Sequence, residues 1–294
     1  MKPAPFEYVA ARSLEEALAV KARHGAEARF LAGGQSLIPA MNFRLAQPAL
    51  LVDIKPVKAL DFVRLDGDGS LHIGALTVHR TTERDPTIAR HQPLLHEAAP
   101  RVAHAQVRNR GTLGGNLAHA DPASEFPAVM LALEARMKGV SSRGERWIEA
   151  HDFFQGVYTT ALEADEMLAE VALPALAPRS GTCFLEVSRR QGDYAMMGVA
   201  AVVTLDEHDH CARARLTFCN AGETPVLAAS ASAGLRGQPL GDSELRAAAA
   251  AAASEIDPAD NVHATAAFRR HLAGVLARRA LAQAAQRARA GSEA

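Results

Sequence analysis

Two glycine-rich segments carry the residue types best placed to do chemistry: Leu31-Ala32-Gly33-Gly34-Gln35-Ser36-Leu37 and Arg110-Gly111-Thr112-Leu113-Gly114-Gly115-Asn116-Leu117. Adjacent glycines let the backbone take positive φ and turn successive N–H groups the same way. Such a run forms a concave nest for anionic oxygens. Ser36, Thr112 and Asn116 add side-chain donors. Two such loops facing each other would grip the diphosphate bridge of a dinucleotide cofactor with backbone donors and no lysine. Gly114 reads as a point where any side chain would block the backbone's approach to that group. Neither segment fits G-x-G-x-x-G or G-x-x-x-x-G-K-[ST], which disfavours a Rossmann crevice and a P-loop.

Other candidates have plainer explanations. Asp121, just before Pro122, reads as the cap of a helix starting at Ala123. His104 and His119 flank the second loop without a serine or cysteine partner and read as packing or solvent-facing residues. Trp147 reads as strand core and Asp53 as a strand-end acid. His208 and His210 sit in a polar turn, Leu-Asp-Glu-His-Asp-His, between two apolar strands. Cys183, Cys211 and Cys219 form no C-x-x-C pair, so no cluster or structural zinc is expected within the chain.

The elements that must hold these loops follow from pattern and punctuation. Phe6 to Val9, Ala28 to Leu31 and Leu50 to Ile54 read as strands, and Ser13-Leu-Glu-Glu16 as a capping box opening a helix that ends at Gly25. Asp66-Gly67-Asp68-Gly69 marks a hairpin between Val63–Leu65 and Leu71–Ala75. Thr77 reads as a helix cap, residues 93–103 and 125–134 as helices, and 137–140 with 146–148 as a strand pair. Pro174 and Pro178 mark a connection. Beyond it come three strands (182–187, 197–205 and 213–219) and then alanine-rich helices at 243–254 and 264–289. On the last helix Phe268, Leu272, Val275, Leu276 and Leu281 form one stripe, with Arg269, Arg270, Arg278 and Arg279 read as a solvated face. The order is not a regular βαβ alternation, so the class is α+β.

Composition sets the outer bounds. The 294 residues are 48% hydrophobic and 22% charged, enough to bury a core and too many for one small domain. Formal charge is −1, from 32 basic and 33 acidic residues, which offers no electrostatic reason to expect nucleic acid or an anionic membrane as partner. No apolar run is long enough to span a bilayer, and the first residues lack an apolar signal region, so a cytoplasmic protein with reduced thiols is expected.

The wording AGGQSL, followed about eighty residues later by GTLGGN, resembles the FAD-binding medium subunit of molybdenum hydroxylases. That family includes the carbon monoxide dehydrogenase medium subunit and the flavin subunits of xanthine, nicotine and caffeine dehydrogenases. The resemblance continues at His119 to Glu125, Asp152 to Thr160, Ser188-Arg-Arg-Gln-Gly-Asp-Tyr-Ala-Met196, and Phe268 to Leu281. Gln35 stands where relatives often carry histidine; it can hydrogen-bond but cannot titrate near neutral pH.

This resemblance implies a two-part FAD-binding domain of the vanillyl-alcohol-oxidase-like type over 1–177, with a break near 55–60. A C-terminal domain over 178–294, a three-stranded antiparallel sheet with helices, would follow. Ala32, Gly33, Gly34, Gln35, Ser36 and Leu37 would wrap the FAD diphosphate together with Thr112, Leu113, Gly114, Gly115 and Asn116. Arg29, Phe30 and Leu31 would lead into the first loop, and Val102 would add a contact. Glu125 would bind the ribose or adenosine side, and Leu168 would touch the adenine through its backbone. Tyr194 and Met196 would approach the isoalloxazine ring, Tyr194 shielding one face. The resemblance assigns no catalytic residue and no metal to this chain. It implies a large molybdenum-cofactor subunit and a small subunit with two [2Fe-2S] clusters as partners, in a dimer of heterotrimers. A self-contained flavin oxidoreductase and a flavin-free ligand-binding or assembly module remain as alternatives. Substrate and electron acceptor stay open.

Overall fold

The computed structural model describes residues 1–290 of the 294, so the last four residues of the expected C-terminal domain lie outside the described residues. Strands β1 (Glu7–Ala10), β2 (Ala28–Leu31) and β3 (Leu50–Asp53) form a small parallel sheet in the order β1-β3-β2. All four residues of β3 are buried, as expected of a central strand covered on both faces. The helix Leu14–His24 joins β1 to β2. Ser13 caps it by accepting from the Glu16 N–H at 3.1 Å, and Glu16 reaches back to the Arg12 N–H at 2.7 Å. The reciprocal pairing of a capping box is thus displaced by one residue.

The second sheet runs β4 (Val63–Leu65), β5 (Leu71–Gly74), β10 (Met167–Leu173), β6 (Arg136–Ser141) and β7 (Gly144–Glu149), antiparallel throughout. A short ribbon of β8 (Phe154–Gly156) and β9 (Thr159–Thr160) lies apart from it. Short helices between β5 and β6 cover one face, where Leu94, Leu95, Leu113, Leu117 and Phe126 pack with Leu71, Ile73, Met137 and Val171. The helix expected over 93–103 stops at Ala98, and Ala99–Arg101 is one 3-10 turn. Pro100 lacks the N–H that would continue the α-helix. Thr77 is not a helix cap; its hydroxyl donates to the Phe62 carbonyl at 3.0 Å, and Val78 precedes the helix His79–Arg84. Trp147 is not core. It is 37% exposed on β7, beneath Arg136 and Lys138, because β7 is an edge strand of which Ile148 alone is buried.

The third sheet is β11 (Ser180–Ser188), β12 (Ala195–Leu205), β13 (Cys211–Cys219) and β14 (Val226–Leu227). It has four strands rather than the expected three. The fourth is two residues long, too short to leave an alternating pattern in the sequence. The helix Ala266–Ala290 packs across it through Ala273, Leu276, Ala277, Ala280, Leu281 and Ala284. The buried seam is therefore mostly alanine, which lets the helix approach closely, while Phe268 is left exposed. Arg269 is also corrected: it is 2% exposed, and a guanidinium N–H bonds the Asn220 carbonyl at 3.3 Å. Its place on the helix faces the β13 end, which one-dimensional patterning does not show.

The third sheet is tied to the second layer by side chains. Thr217 donates to the Ala128 carbonyl at 2.7 Å, and Arg215 donates to those of Leu131 at 2.6 Å and Ala132 at 3.1 Å. Glu97 accepts from the Phe184 N–H at 3.1 Å and pairs with Arg287 at 2.8 Å. Phe184 and Ala200 enter the same core as Leu71 and Phe126.

Candidate cofactor-binding site

The two glycine loops meet backbone to backbone. A Cβ on Gly33 would lie 2.2 Å from the Arg110 carbonyl oxygen and 2.8 Å from the Gly111 Cα. On the other side, a Cβ on Gly115 would come within 3.8 Å of Ala32. Gly34 turns at φ 71, which favours glycine, and the chain then enters the helix Leu37–Asn42. Among the described residues, the N–H groups of Gly33, Gly34, Gln35 and Ser36 have no protein acceptor. Gln35 folds back to donate to the Gly33 carbonyl at 3.0 Å.

This loop opens into a cleft of about 430 Å³ lined by Leu31, Ala32, Gly33, Gly34, Gln35, Ile38, Pro39, Lys55 and Arg110. Two cations thus face the free N–H groups. Lys55 is held by Asp53, whose carboxylate accepts from the Lys55 N–H at 2.9 Å and pairs with its ammonium at 3.1 Å. The Tyr8 hydroxyl donates to the same carboxylate at 2.6 Å. Burial pushes the Asp53 pKa up, but Tyr8 and Lys55 outweigh it and hold the carboxyl below its ordinary value. Asp53 therefore orients a cation as well as ending β3. Lys55 and Arg110 were the residues that pattern reading missed. The only signals were Lys55 two residues past a strand end and Arg110 opening a quoted motif.

The second loop is built differently from expectation. Its N–H groups are spent within the protein: Leu113 donates to Thr77 O at 2.9 Å, Gly114 to Ala75 O at 2.9 Å, and Asn116 to Thr112 O at 3.0 Å. Thr112 caps the helix Leu113–His119, its hydroxyl accepting from the Gly115 N–H at 3.1 Å. The nest of donors is thus one-sided. Gly114 faces protein, since a Cβ there would sit 2.4 Å from the Ala75 Cβ. Packing of this helix against the chain just past β5 requires that glycine. His79 lies beneath the loop, its N–H on the Gly111 carbonyl at 2.9 Å and its ring edge-on to Phe126 at 5.1 Å. Burial, with Arg108 nearby, lowers its pKa to about 3, so the imidazole is neutral.

From the second loop the chain reaches the acidic residues. The Asn116 side-chain oxygen accepts from the Ser124 hydroxyl at 2.8 Å, which leaves its amide N–H groups available. Glu125 opens the buried helix Glu125–Ala132 at 4% exposure, its carboxyl met by its own backbone N–H, and among the described residues the nearby Glu186 Oε2 is buried without a hydrogen-bond partner. Burial, reinforced by Glu186, raises its pKa to about 8, and burial raises that of Glu186 to about 7. Asp121 accepts from the Ala123 N–H at 2.9 Å in a turn, not at a helix start. Tyr194 is 65% exposed in the loop between β11 and β12 rather than in a strand, and Met196 is half-buried beside the bulge that opens β12. Desolvation, then Asp121, Tyr158 and Glu125, push the Tyr194 phenol up to about 12.

The remaining expected residues divide. Leu31 lines the cleft, and Leu37 packs behind it on Met41 and Leu51. Phe30 points the other way, into the core beneath the first sheet, and Arg29 is exposed outside the cleft lining. The Val102 carbonyl is taken by Arg108 at 3.2 Å. Leu168 is buried where β10 breaks register with β6. The fit of an FAD diphosphate and ribose is tested by two observations: the free N–H groups of Gly33, Gly34 and Gln35 in a cleft that Lys55 and Arg110 also line, and the neighbouring carboxyls of Glu125 and Glu186, the Glu186 Oε2 buried without a partner among the described residues. These residues fit it.

Glycine loops converging on a cationic cleft, on a mixed helix–strand scaffold joined to an antiparallel-sheet unit, define the class as a dinucleotide-cofactor protein outside the Rossmann type. Residues 4–176 match the FAD binding domain in molybdopterin dehydrogenase, and residues 182–284 match the CO dehydrogenase flavoprotein C-terminal domain. The chain is 43% identical to the 6-hydroxypseudooxynicotine dehydrogenase complex subunit alpha of Paenarthrobacter nicotinovorans, covering 100% of this chain and 99% of that protein. It is 41% identical to the caffeine dehydrogenase subunit beta of a Pseudomonas species, covering 98% and 97%. A carbon monoxide dehydrogenase structure from Hydrogenophaga pseudoflava superposes with a TM-score of 0.95 at 37% identity, covering 98% of this chain and 99% of that one. The chain belongs to the family of FAD-binding domains of molybdopterin dehydrogenases. It is an oxidoreductase component, the FAD-binding flavoprotein subunit of a molybdenum hydroxylase, with the fold of the carbon monoxide dehydrogenase medium subunit.

Proposed function

We propose that this chain binds FAD noncovalently, receives electrons from [2Fe-2S] clusters of a small partner subunit, and passes them to an external acceptor. A large molybdenum-cofactor subunit would oxidise the substrate, and the assembly would be a cytoplasmic dimer of heterotrimers. FAD supplies the redox chemistry. The chain's own groups bind and orient it: the N–H groups of Gly33 to Ser36 with Lys55 and Arg110 hold the diphosphate, Asn116 and Glu125 take hydroxyl groups, and Tyr194 and Met196 lie toward the ring. Arg29 and Phe30 lead into the first loop, as the strand that delivers it. We assign residues 1–177 to the FAD-binding unit, with a break near 55–60, and 178–294 to the C-terminal unit.

The observation that carries this is the meeting of Gly33 with Arg110 and Gly111 above a cleft holding free donors and two cations. The test is the visible spectrum of the purified chain. Flavin absorption is expected as isolated or after adding FAD, and co-expression with its partners should bring down molybdenum and iron in the same complex. A folded chain that takes up no FAD would end the proposal. Full substrate turnover by the chain alone would favour the self-contained flavoenzyme.

A further inference from the structure

Asn220 stands where the C-terminal sheet meets the cofactor unit, and it bonds to both. It follows the last residue of β13, and the ladder between β12 and β13 stops at the pair Gly198–Cys219 just before it. Its backbone then turns into the left-handed region at φ 57, which asparagine tolerates better than most residues. From there its N–H donates to the Pro122 carbonyl at 2.7 Å, and its side-chain amide donates to the Ala195 carbonyl at 2.6 Å. Its own carbonyl accepts from the buried Arg269 guanidinium of the terminal helix at 3.3 Å. One half-buried residue thus joins three segments that lie far apart in the chain.

The residues just before the two carbonyls it takes are Asp121 and Tyr194. Tyr194 is 65% exposed, so core packing does not fix its ring, and its place follows from where its backbone is held. The ladder is irregular there: Val187 pairs with Met197 and Ser188 with Ala195, which leaves Met196 as the extra residue of a bulge. A bulge interrupts the ladder and re-aims the side chains beside it. Ala195 is 1% exposed, so bulk water does not reach the carbonyl that the Asn220 amide satisfies.

The other end of the same segment also rests on the cofactor unit. Gly192, at φ 89 in the loop between β11 and β12, packs so closely on His104 that a Cβ would lie 2.1 Å from its Nδ1. His104 follows a turn whose Val102 and Ala103 carbonyls accept from Arg108 at 3.2 and 2.7 Å, and Arg108 pairs with Glu83 at 2.9 Å. Gly192 to Ala195 is therefore a strap anchored at both ends, with Tyr194 between the anchors.

We propose that Asn220 is a positioning residue for the flavin site: its side-chain amide, by holding the Ala195 carbonyl, sets where Tyr194 stands against the isoalloxazine ring. The Gly192–His104 contact is the second anchor of the same strap. The proposal rests on the FAD-binding reading above, in which Tyr194 lies toward the ring. Asn220 acts through Tyr194 and is not itself a cofactor contact.

The test uses the FAD-loaded complex. Asn220→Gly keeps the positive φ and the N–H to Pro122 and removes only the amide. Visible circular dichroism of the bound flavin reports the surroundings of the ring, and stopped flow follows reoxidation by dioxygen after anaerobic dithionite reduction. Asn220→Gly should alter the dichroism and quicken reoxidation roughly three- to tenfold at unchanged flavin content, the scale of one hydrogen bond. In a Tyr194→Ala background the same substitution should add nothing, since one residue that acts through another is not additive with it. Arg215→Met, which loosens the junction of the two units away from the strap, should lower the melting temperature and leave both flavin readouts alone. If Asn220→Gly does not fold, Gly192→Ala, which forces the strap off His104, takes its place with the same expected change. A wild-type spectrum and rate in the folded variant at full flavin content overturns the proposal. So does an additive effect in the Tyr194→Ala background, or an equal change of both flavin readouts in Arg215→Met. A wild-type complex that takes up no FAD is a separate result and overturns the FAD reading instead.

Discussion

The most informative single residue is Glu125, a carboxylic acid 4% exposed at the first turn of a buried helix and close to a second carboxyl, Glu186. Its pKa is raised to about 8 from 4.5, first by burial and then by Glu186. An acid whose folded pKa lies above its unfolded one binds more protons in the native state. Its contribution therefore makes stability fall as pH rises between about 4.5 and 8. In the cofactor-free chain, Glu125→Gln should flatten this part of the melting temperature against pH and raise stability at the alkaline end. Thermal unfolding from pH 5 to 8 checks it; an unaltered slope would mean the carboxyl finds a partner or water that relieves it. The lone reading of Glu125 as a polar cofactor contact came from its motif. Its burial and its neighbour Glu186, from β11, could not be seen there.

At the scale of elements, the two GG pairs look alike in sequence but do opposite work. Gly33 is the contact between loops, whereas Gly114 is a packing residue against Ala75 of the chain just past β5. Gly33→Ala should therefore part the loops and lower FAD affinity with a modest loss of stability. Gly114→Val should destabilise the chain with or without FAD, by about 3 kcal/mol from overpacking. Denaturant midpoints with and without FAD separate the two. If Gly114→Val lost only FAD affinity at unchanged stability, the helix packing described here would be wrong. The loops were legible because glycine pairs have few other uses. Their division of labour was not, because it depends on which carbonyl each N–H meets.

At the scale of the molecule, Arg215 fastens the C-terminal sheet to the helix Glu125–Ala132 through the Leu131 and Ala132 carbonyls and Glu134. Its burial lowers its pKa somewhat, and Glu134 offsets this. Arg215→Met should keep the bulk but strip these bonds, costing about 3 kcal/mol. It should also quicken protease cleavage in the 174–178 connection. Resistance equal to wild type in limited proteolysis would place the fastening elsewhere, for instance at Glu97 and Arg287. Holding the two units together matters to the proposed cofactor site, since Tyr194 and Met196 come from one and the glycine loops from the other.

The sequence by itself determined the α+β class, the hairpin at Asp66–Gly69, the first helix cap, the alanine-rich terminal helix and the two glycine loops, because each is written in neighbouring residues. Tertiary structure alone decided that Lys55 and Arg110 share a cleft, that Arg269 is buried and Trp147 is not, and that Tyr158 meets His119. Those outcomes depend on contacts between residues distant along the chain, and local propensity and spacing carry no information about which distant surfaces close on one another.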